Sequence, residues 1–130
     1  MERKKFNELG LSASVQKALT DMGFEEATPI QSLAIPQLLE GRDMIGQAQT
    51  GTGKTATFGI PIIERVKPEV RDVQAIVLCP TRELAIQVAD ELQRISANIH
   101  GLNVLPIYGG QPIDRQIRSL HSRTVQVVVG

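Results

Sequence analysis

Two glycines set one residue apart, Gly51 and Gly53, followed at once by Lys54 and Thr55, restrict this chain more than any other feature. They belong to the stretch Ala48-Gln49-Thr50-Gly51-Thr52-Gly53-Lys54-Thr55, which follows a short apolar run around Met44 and Ile45. Glycine accepts positive φ without a steric penalty, so the backbone can turn tightly here. Such a turn aims successive N–H groups into one concavity beside the positive end of a helix. That is a seat for an anion, and a polyphosphate suits it. Lys54 supplies a long cationic arm for the outer phosphates, and Thr55 a hydroxyl that suits Mg²⁺. Ala48 stands where the general pattern has its first glycine, so that position needs a small residue but no positive φ. The loop works only between a strand and a helix, which commits the chain to an α/β arrangement.

The surrounding sequence agrees. Ser12 is placed to cap a helix running to about Met22, with Val15, Ala18 and Leu19 on one face and Gly23 beyond its end. Thr28-Pro29 starts a second helix that stops near Gly41, with Pro36 expected to bend or split it. Asp43 to Gln47 reads as a strand, then the loop, then a helix to about Lys67 that Pro61 can kink. Ala75 to Cys79 is a continuous apolar run, as in a strand covered on both faces. A helix from Arg82 to about Ile99 carries Leu84, Val88, Leu92 and Ile95 at helical spacing. Asn103 to Ile107 is a third strand, Pro112 to Leu120 a short helix, and Thr124 to Val129 a fourth strand of β-branched residues. The expected fold is therefore a parallel sheet flanked by helices, with right-handed crossovers.

The 130 residues suffice for one domain with a real core, and 42% hydrophobic and 22% charged residues are ordinary for a globular protein. No apolar run approaches the ~20 residues of a membrane span, and no signal segment follows the charged start, so a cytoplasmic protein without membrane contact is expected. Cys79 is the only cysteine. It excludes an intrachain disulfide, fits a reducing compartment and reads as a core residue. Net charge is zero, yet residues 94–130 carry Arg94, Arg115, Arg118 and Arg123 against Asp114 alone. That imbalance is compatible with nucleic acid and equally with a solvated face.

In a parallel sheet all strand-to-helix turns share one edge, where ligands bind. Three such turns are expected here. The first is the phosphate loop. In the second, Pro80-Thr81-Arg82-Glu83-Leu84-Ala85, Thr81 can cap the helix, while Arg82 opposes the helix dipole. Either an external anion or a carboxylate such as Glu83 or Asp90 can compensate it. In the third, Gly109-Gly110-Gln111-Pro112, paired glycines either admit another backbone or simply turn the chain. Neighbouring anion-binding turns would hold a nucleic-acid strand by its phosphates without reading sequence.

Several of these segments together resemble the DEAD-box ATP-dependent RNA helicases. Gly23-Phe24-Glu25-Glu26-Ala27-Thr28-Pro29-Ile30-Gln31 is similar to that family's Q motif, and Phe6, seventeen residues before Gly23, to its isolated aromatic. Ala48 to Thr55 resembles its motif I, Pro80 to Ala85 its motif Ia, and Gly109-Gly110 its GG motif. The resemblance covers essentially the whole chain. It implies the first part of an N-terminal RecA-like domain, with residues 1–41 as the Q-motif helical region and 42–130 as the start of the ATP-binding helicase domain. By the same resemblance, Phe6 stacks on adenine and Gln31 hydrogen-bonds its edge, although Gln31 alone reads as a solvated helix position. Ala48, Gln49, Thr50, Gly51, Thr52 and Gly53 would cradle ATP. Lys54 and Thr55 would act on the β/γ-phosphates, with Thr55 on Mg²⁺. Pro80, Thr81, Arg82, Gly109 and Gly110 would line an RNA backbone track.

Two departures stand out. Ala27 replaces the proline frequent at its place in the Q motif. No strand ends in the acidic D-E-A-D sequence, and phosphoryl transfer needs a carboxylate in the metal shell. Asp43 and Asp72 precede strands and so lie at the wrong edge. The chain therefore reads as a fragment of a helicase that lacks the S-A-T segment and a C-terminal RecA-like domain, and that is itself inactive. Two other readings stay open: a nucleotide- or RNA-binding module without hydrolysis, and another phosphate-loop ATPase such as a DNA motor.

Overall fold

The computed structural model describes residues 4–49, 53–122 and 124–130. Three parallel strands form its sheet: β1 (Ala75–Val77), β2 (Val104–Pro106) and β3 (Val127–Val129), in the order β1-β3-β2. The last strand lies in the middle, and it is β-branched throughout, as suits a strand with neighbours on both sides. Five helices accompany them: α1 (Ala13–Asp21), α2 (Pro29–Leu39), α3 (Lys54–Arg65), α4 (Arg82–Ile95) and α5 (Ile113–Ser122). A single 3-10 turn, Phe6–Glu8, precedes α1.

The helix starts are set by short polar side chains. The Ser12 hydroxyl accepts from Val15 N, Thr28 from Gln31 N and Thr81 from Leu84 N. Each satisfies an N–H that the helix itself leaves unpaired. Neither Pro36 in α2 nor Pro61 in α3 splits its helix. Arg65 closes α3 and Ile95 closes α4, both a few residues earlier than the periodicity suggests.

In register, Ala75, Val127 and Val104 form one row across the sheet, and Ile76, Val128 and Leu105 the next. Alternate rows face opposite sides. The first row looks toward α4, which packs on β2 and β3, while α3 lies against α4 and α2. Val127, Val129, Ile60, Ile63, Leu92 and Ile95 are almost wholly buried in this core. Each such side chain contributes roughly 1.5–3 kcal/mol relative to exposure. Val15, Leu19 and Ile35 bring α1 and α2 into the same cluster.

The second row is open. Ile76 is 68% exposed, and Leu78 just beyond β1 is 83% exposed. The expected covering of both faces of the run 75–79 is thus not met. Nor do residues 43–47 form a strand among the described residues; Ile45 there is 95% exposed. A strand exists only through a neighbour's hydrogen bonds. Among the described residues no strand bonds to this segment, so its apolar composition alone does not make it a strand. The sheet is parallel as expected, with three described strands rather than four.

At the floor of the sheet, one fully buried side chain joins three connections. Gln126 Oε1 accepts from Asn103 N at 2.8 Å, and its Nε2 donates to Gly101 O at 3.0 Å and Pro68 O at 3.1 Å. Near the far end of α3, the Glu64 carboxylate accepts from Ser12 Oγ at 2.7 Å, tying that helix to the start of α1.

Candidate functional site

The strands all run the same way, so their carboxyl ends meet at one rim. Backbone bonds draw the outgoing chain together there: Cys79 N donates to Gly130 O at 2.7 Å, and Ile107 N to Val129 O at 2.7 Å. The second and third turns leave from this rim. Lys54 and Thr55 face the same space as Leu78 and Cys79, across a cavity of about 1070 Å³.

The cavity brings together residues from distant segments, among them Phe6, Gln31, Gly53, Lys54 and Thr55. Gly53 is the N-cap of α3, with φ +82. That left-handed value is what a glycine provides and a side chain resists. Lys54 is exposed, and Thr55 is half-buried at the cavity wall. Thr50, Gly51 and Thr52 lie outside the described residues. Ala48 is half-buried and Gln49 exposed, in irregular backbone.

Gln31 is not a solvated helix position; it is only 3% exposed. Its Oε1 accepts from Thr28 N at 2.9 Å, and its Nε2 donates to Gly53 O at 3.1 Å. Thr57 Oγ1 donates to the same carbonyl at 2.9 Å. A Cβ on Gly53 would collide with Gln31 Nε2. The amide therefore closes a capping box at α2 and touches the last turn of the phosphate loop at the same time. An amide has two N–H donors and an oxygen with two lone pairs, so each end keeps capacity for a ligand.

Phe6 is 5% exposed and stacks on Phe24, with ring centroids 5.9 Å apart and planes 20° from parallel. Its backbone N donates to Glu25 O at 3.2 Å, and Ala27 N donates to Lys4 O at 2.9 Å. The aromatic expected to stand alone in sequence is thus pinned to the segment 24–27. Phe24 and Thr28 also line the cavity, and sequence reasoning gave neither a part in the site. The threonine-x-x-glutamine spacing of a capping box was the available signal for Thr28 and Gln31.

Farther from the loop, the cavity is walled by the apolar residues Phe58, Ile62, Val77 and Val88, with Glu91 among them. Burial pushes the Glu91 carboxyl above its usual range, and Asp90 adds to this while Arg94 opposes it. Cys79 is half-buried against the core, and burial raises its thiol likewise.

Of the two carboxylates considered for it, Arg82 meets only Glu83, and loosely. Its Nη2 lies 3.6 Å from Glu83 Oε1, with both side chains largely exposed. Such a loose surface pair contributes little. Asp90 instead pairs with Arg94 at 3.1 Å. The other side of Arg82 lies against Gly110, where a Cβ would stand 2.7 Å from Nη1. Pro80, Thr81 and Gly109 are exposed beside them. The second and third turns are thus adjacent, and their two signature residues touch.

Among the described residues no group of three His, Cys, Asp or Glu side chains could hold a metal ion. Thr55 offers one oxygen, which fits a cation already carried by a polyphosphate rather than a cation held by protein alone.

Fold and rim define the class: a parallel α/β domain of the RecA-like kind. Residues 28–130 match the DEAD/DEAH box helicase family, and the chain belongs to that family. It is similar to the DEAD-box ATP-dependent RNA helicase CshA of Geobacillus kaustophilus, 60% identical over 125 residues that make up 96% of this chain and 26% of that protein. The protein of the same name from Bacillus subtilis is 56% identical over 125 residues, 25% of its length. The chain thus spans about a quarter of the relatives it matches. The crystal structure of a DEAD box protein from Methanococcus jannaschii superposes with a TM-score of 0.90 at 45% identity, covering 97% of this chain and 34% of that one.

Proposed function

We propose that this chain is the nucleotide- and RNA-engaging first part of an ATP-dependent RNA helicase that unwinds or remodels duplexes, and that it works in the cytoplasm. The observation that carries the reading is the convergence of Phe6, Gln31, Gly53, Lys54 and Thr55 on one cavity, with Arg82 against Gly110 on the same sheet rim. Residues 1–41 supply the adenine end of the site, and 42–130 the phosphate and RNA end. Adenine would lie at Phe6 with its edge at Gln31, and the phosphates at the loop 48–55. Lys54 attracts the outer phosphates, and Thr55 gives an oxygen to their Mg²⁺. Mg²⁺ held there would offset the negative charge of the phosphates. Pro80, Thr81, Arg82, Gly109 and Gly110 hold the RNA backbone without reading bases. Hydrolysis in this reading needs the water-orienting carboxylate and the second RecA-like domain, so these 130 residues bind but do not turn over.

The test is nucleotide binding by the chain, with ATP against GTP, in wild type and Gln31→Ala. The wild type is expected to prefer ATP, and the substitution to narrow that preference. Equal preference in both proteins overturns the adenine assignment, and RNA-stimulated hydrolysis by the chain alone overturns its role as a binding part only.

A further inference from the structure

We propose that Tyr108 is a further RNA-binding residue of this chain, its phenol donating a hydrogen bond to the sugar–phosphate backbone beside Arg82; this rests on the RNA reading above. Tyr108 is the only tyrosine, and it leaves the rim two residues after β2. One residue earlier, Ile107 N is still bonded to Val129 O, so the chain enters the third turn from a fixed point.

The side chain is held from the far side of the glycines. Gln111 Nε2 donates to the Tyr108 hydroxyl at 2.7 Å. Gln116 Nε2, from α5, donates to the Tyr108 main-chain oxygen at 2.9 Å. Both glutamines are half-buried, as is the tyrosine. A phenol whose oxygen accepts a bond still has its own proton to give. Among the described residues no acceptor takes that proton.

Two residues on, Gly110 lies against Arg82. Two residues of chain span at most about 7 Å, so the Tyr108 backbone leaves the rim close to where Gly110 meets Arg82. A cation and a neutral donor complement each other on a phosphate strand. The cation supplies attraction, and the neutral hydroxyl fixes orientation. The Gln111 bond orders the hydroxyl in advance, which removes part of the entropy cost of binding.

The experiment measures binding of fluorescein-labelled single-stranded oligouridine to the chain by anisotropy, over a range of salt. Tyr108→Phe removes one oxygen and keeps the ring. It is expected to bind RNA about three- to tenfold more weakly, the worth of one neutral hydrogen bond. ATP binding should not change, nor should the slope of log affinity against log salt, because no ion pair is lost. Arg82→Gln should reduce that slope by about 0.7. Gln111→Leu should weaken RNA binding to a similar extent as Tyr108→Phe, and the double variant no further. If Tyr108→Phe binds like wild type while Arg82→Gln is impaired, the proposal falls and the RNA reading stands. If neither substitution matters, both fall. A lowered melting temperature in Tyr108→Phe with an inert Gln111→Leu assigns the hydroxyl to packing, and also overturns the proposal.

Discussion

Gly110 leaves room for Arg82: a methyl group on the glycine would sit 2.7 Å from Nη1 of the arginine. The two are 28 residues apart in sequence, yet they form the junction between the second and third turns of the rim. Gly110 has φ +91, so two independent constraints fall on one position.

Gly110→Ala is therefore expected to be destabilising by roughly 1–2 kcal/mol from backbone conformation alone. It should also displace Arg82 and weaken RNA binding while ATP binding stays intact. Urea unfolding together with the two binding titrations checks this.

Gln31 carries structure as well as the proposed contact. Gln31→Ala opens the capping box and frees Gly53 O of one donor, for a loss of about 1–2 kcal/mol. Gln31→Glu keeps the oxygen facing Thr28 N but sets a carboxylate against the Gly53 carbonyl in a nearly dry site. It should be the less stable of the two at neutral pH, and a larger loss in the alanine variant would contradict this geometry.

Lys54 contrasts with it. Its side chain is exposed and makes no salt bridge among the described residues. Lys54→Ala should change stability by less than about 0.5 kcal/mol, as for other plain surface sites. Calorimetric titration with ATP should nevertheless show binding abolished or nearly so.

Burial raises the Glu91 carboxyl, with Asp90 adding and Arg94 opposing. A carboxyl raised in the folded state holds its proton after the unfolded chain has lost it. Stability from this group is thus present below the ordinary glutamate value and is lost as pH rises through the raised one. Glu91→Gln is expected to melt above wild type at pH 7 and to converge with it in acid. A gap of constant size across that range would remove burial as the cause.

Ile76 and Leu78 project from the outer face and edge of β1. Uncovered apolar edges of this kind invite pairing with another chain. Sedimentation velocity should show concentration-dependent association of the 130-residue chain, reduced in Ile76→Lys. A strict monomer at high concentration would exclude that edge as adhesive.

What was legible in the sequence was mostly local. Ser12, Thr28 and Thr81 act within three residues of where they stand, so the helix starts follow from side-chain chemistry. The helical phase of Val88, Leu92 and Ile95 likewise announces the buried face of α4. The loop from Ala48 to Thr55 stood out because glycine spacing has few other uses. What sequence did not show depends on partners far along the chain. Residues 43–47 have strand composition and no strand beside them. The apolar run at 75–79 looks doubly covered, but only one of its faces meets a helix. Gln31 looked like a surface residue because nothing at position 31 reveals that Gly53 will lie against it. The contacts of Tyr108 with Gln111 and Gln116 were short-range, yet polar turn residues are common enough that spacing alone did not mark them out.

The amide of Gln126 reaches partners 23, 25 and 58 residues away in sequence. A buried amide left half-bonded is costly, so partial assembly of these three crossings gains little until the last strand arrives. The base of the sheet should accordingly lock in a single step, with the residue just ahead of β3 acting as its keystone. Amide protons at Asn103 and Gln126 are then expected to exchange together, through the same rare opening, however mobile the opposite rim becomes.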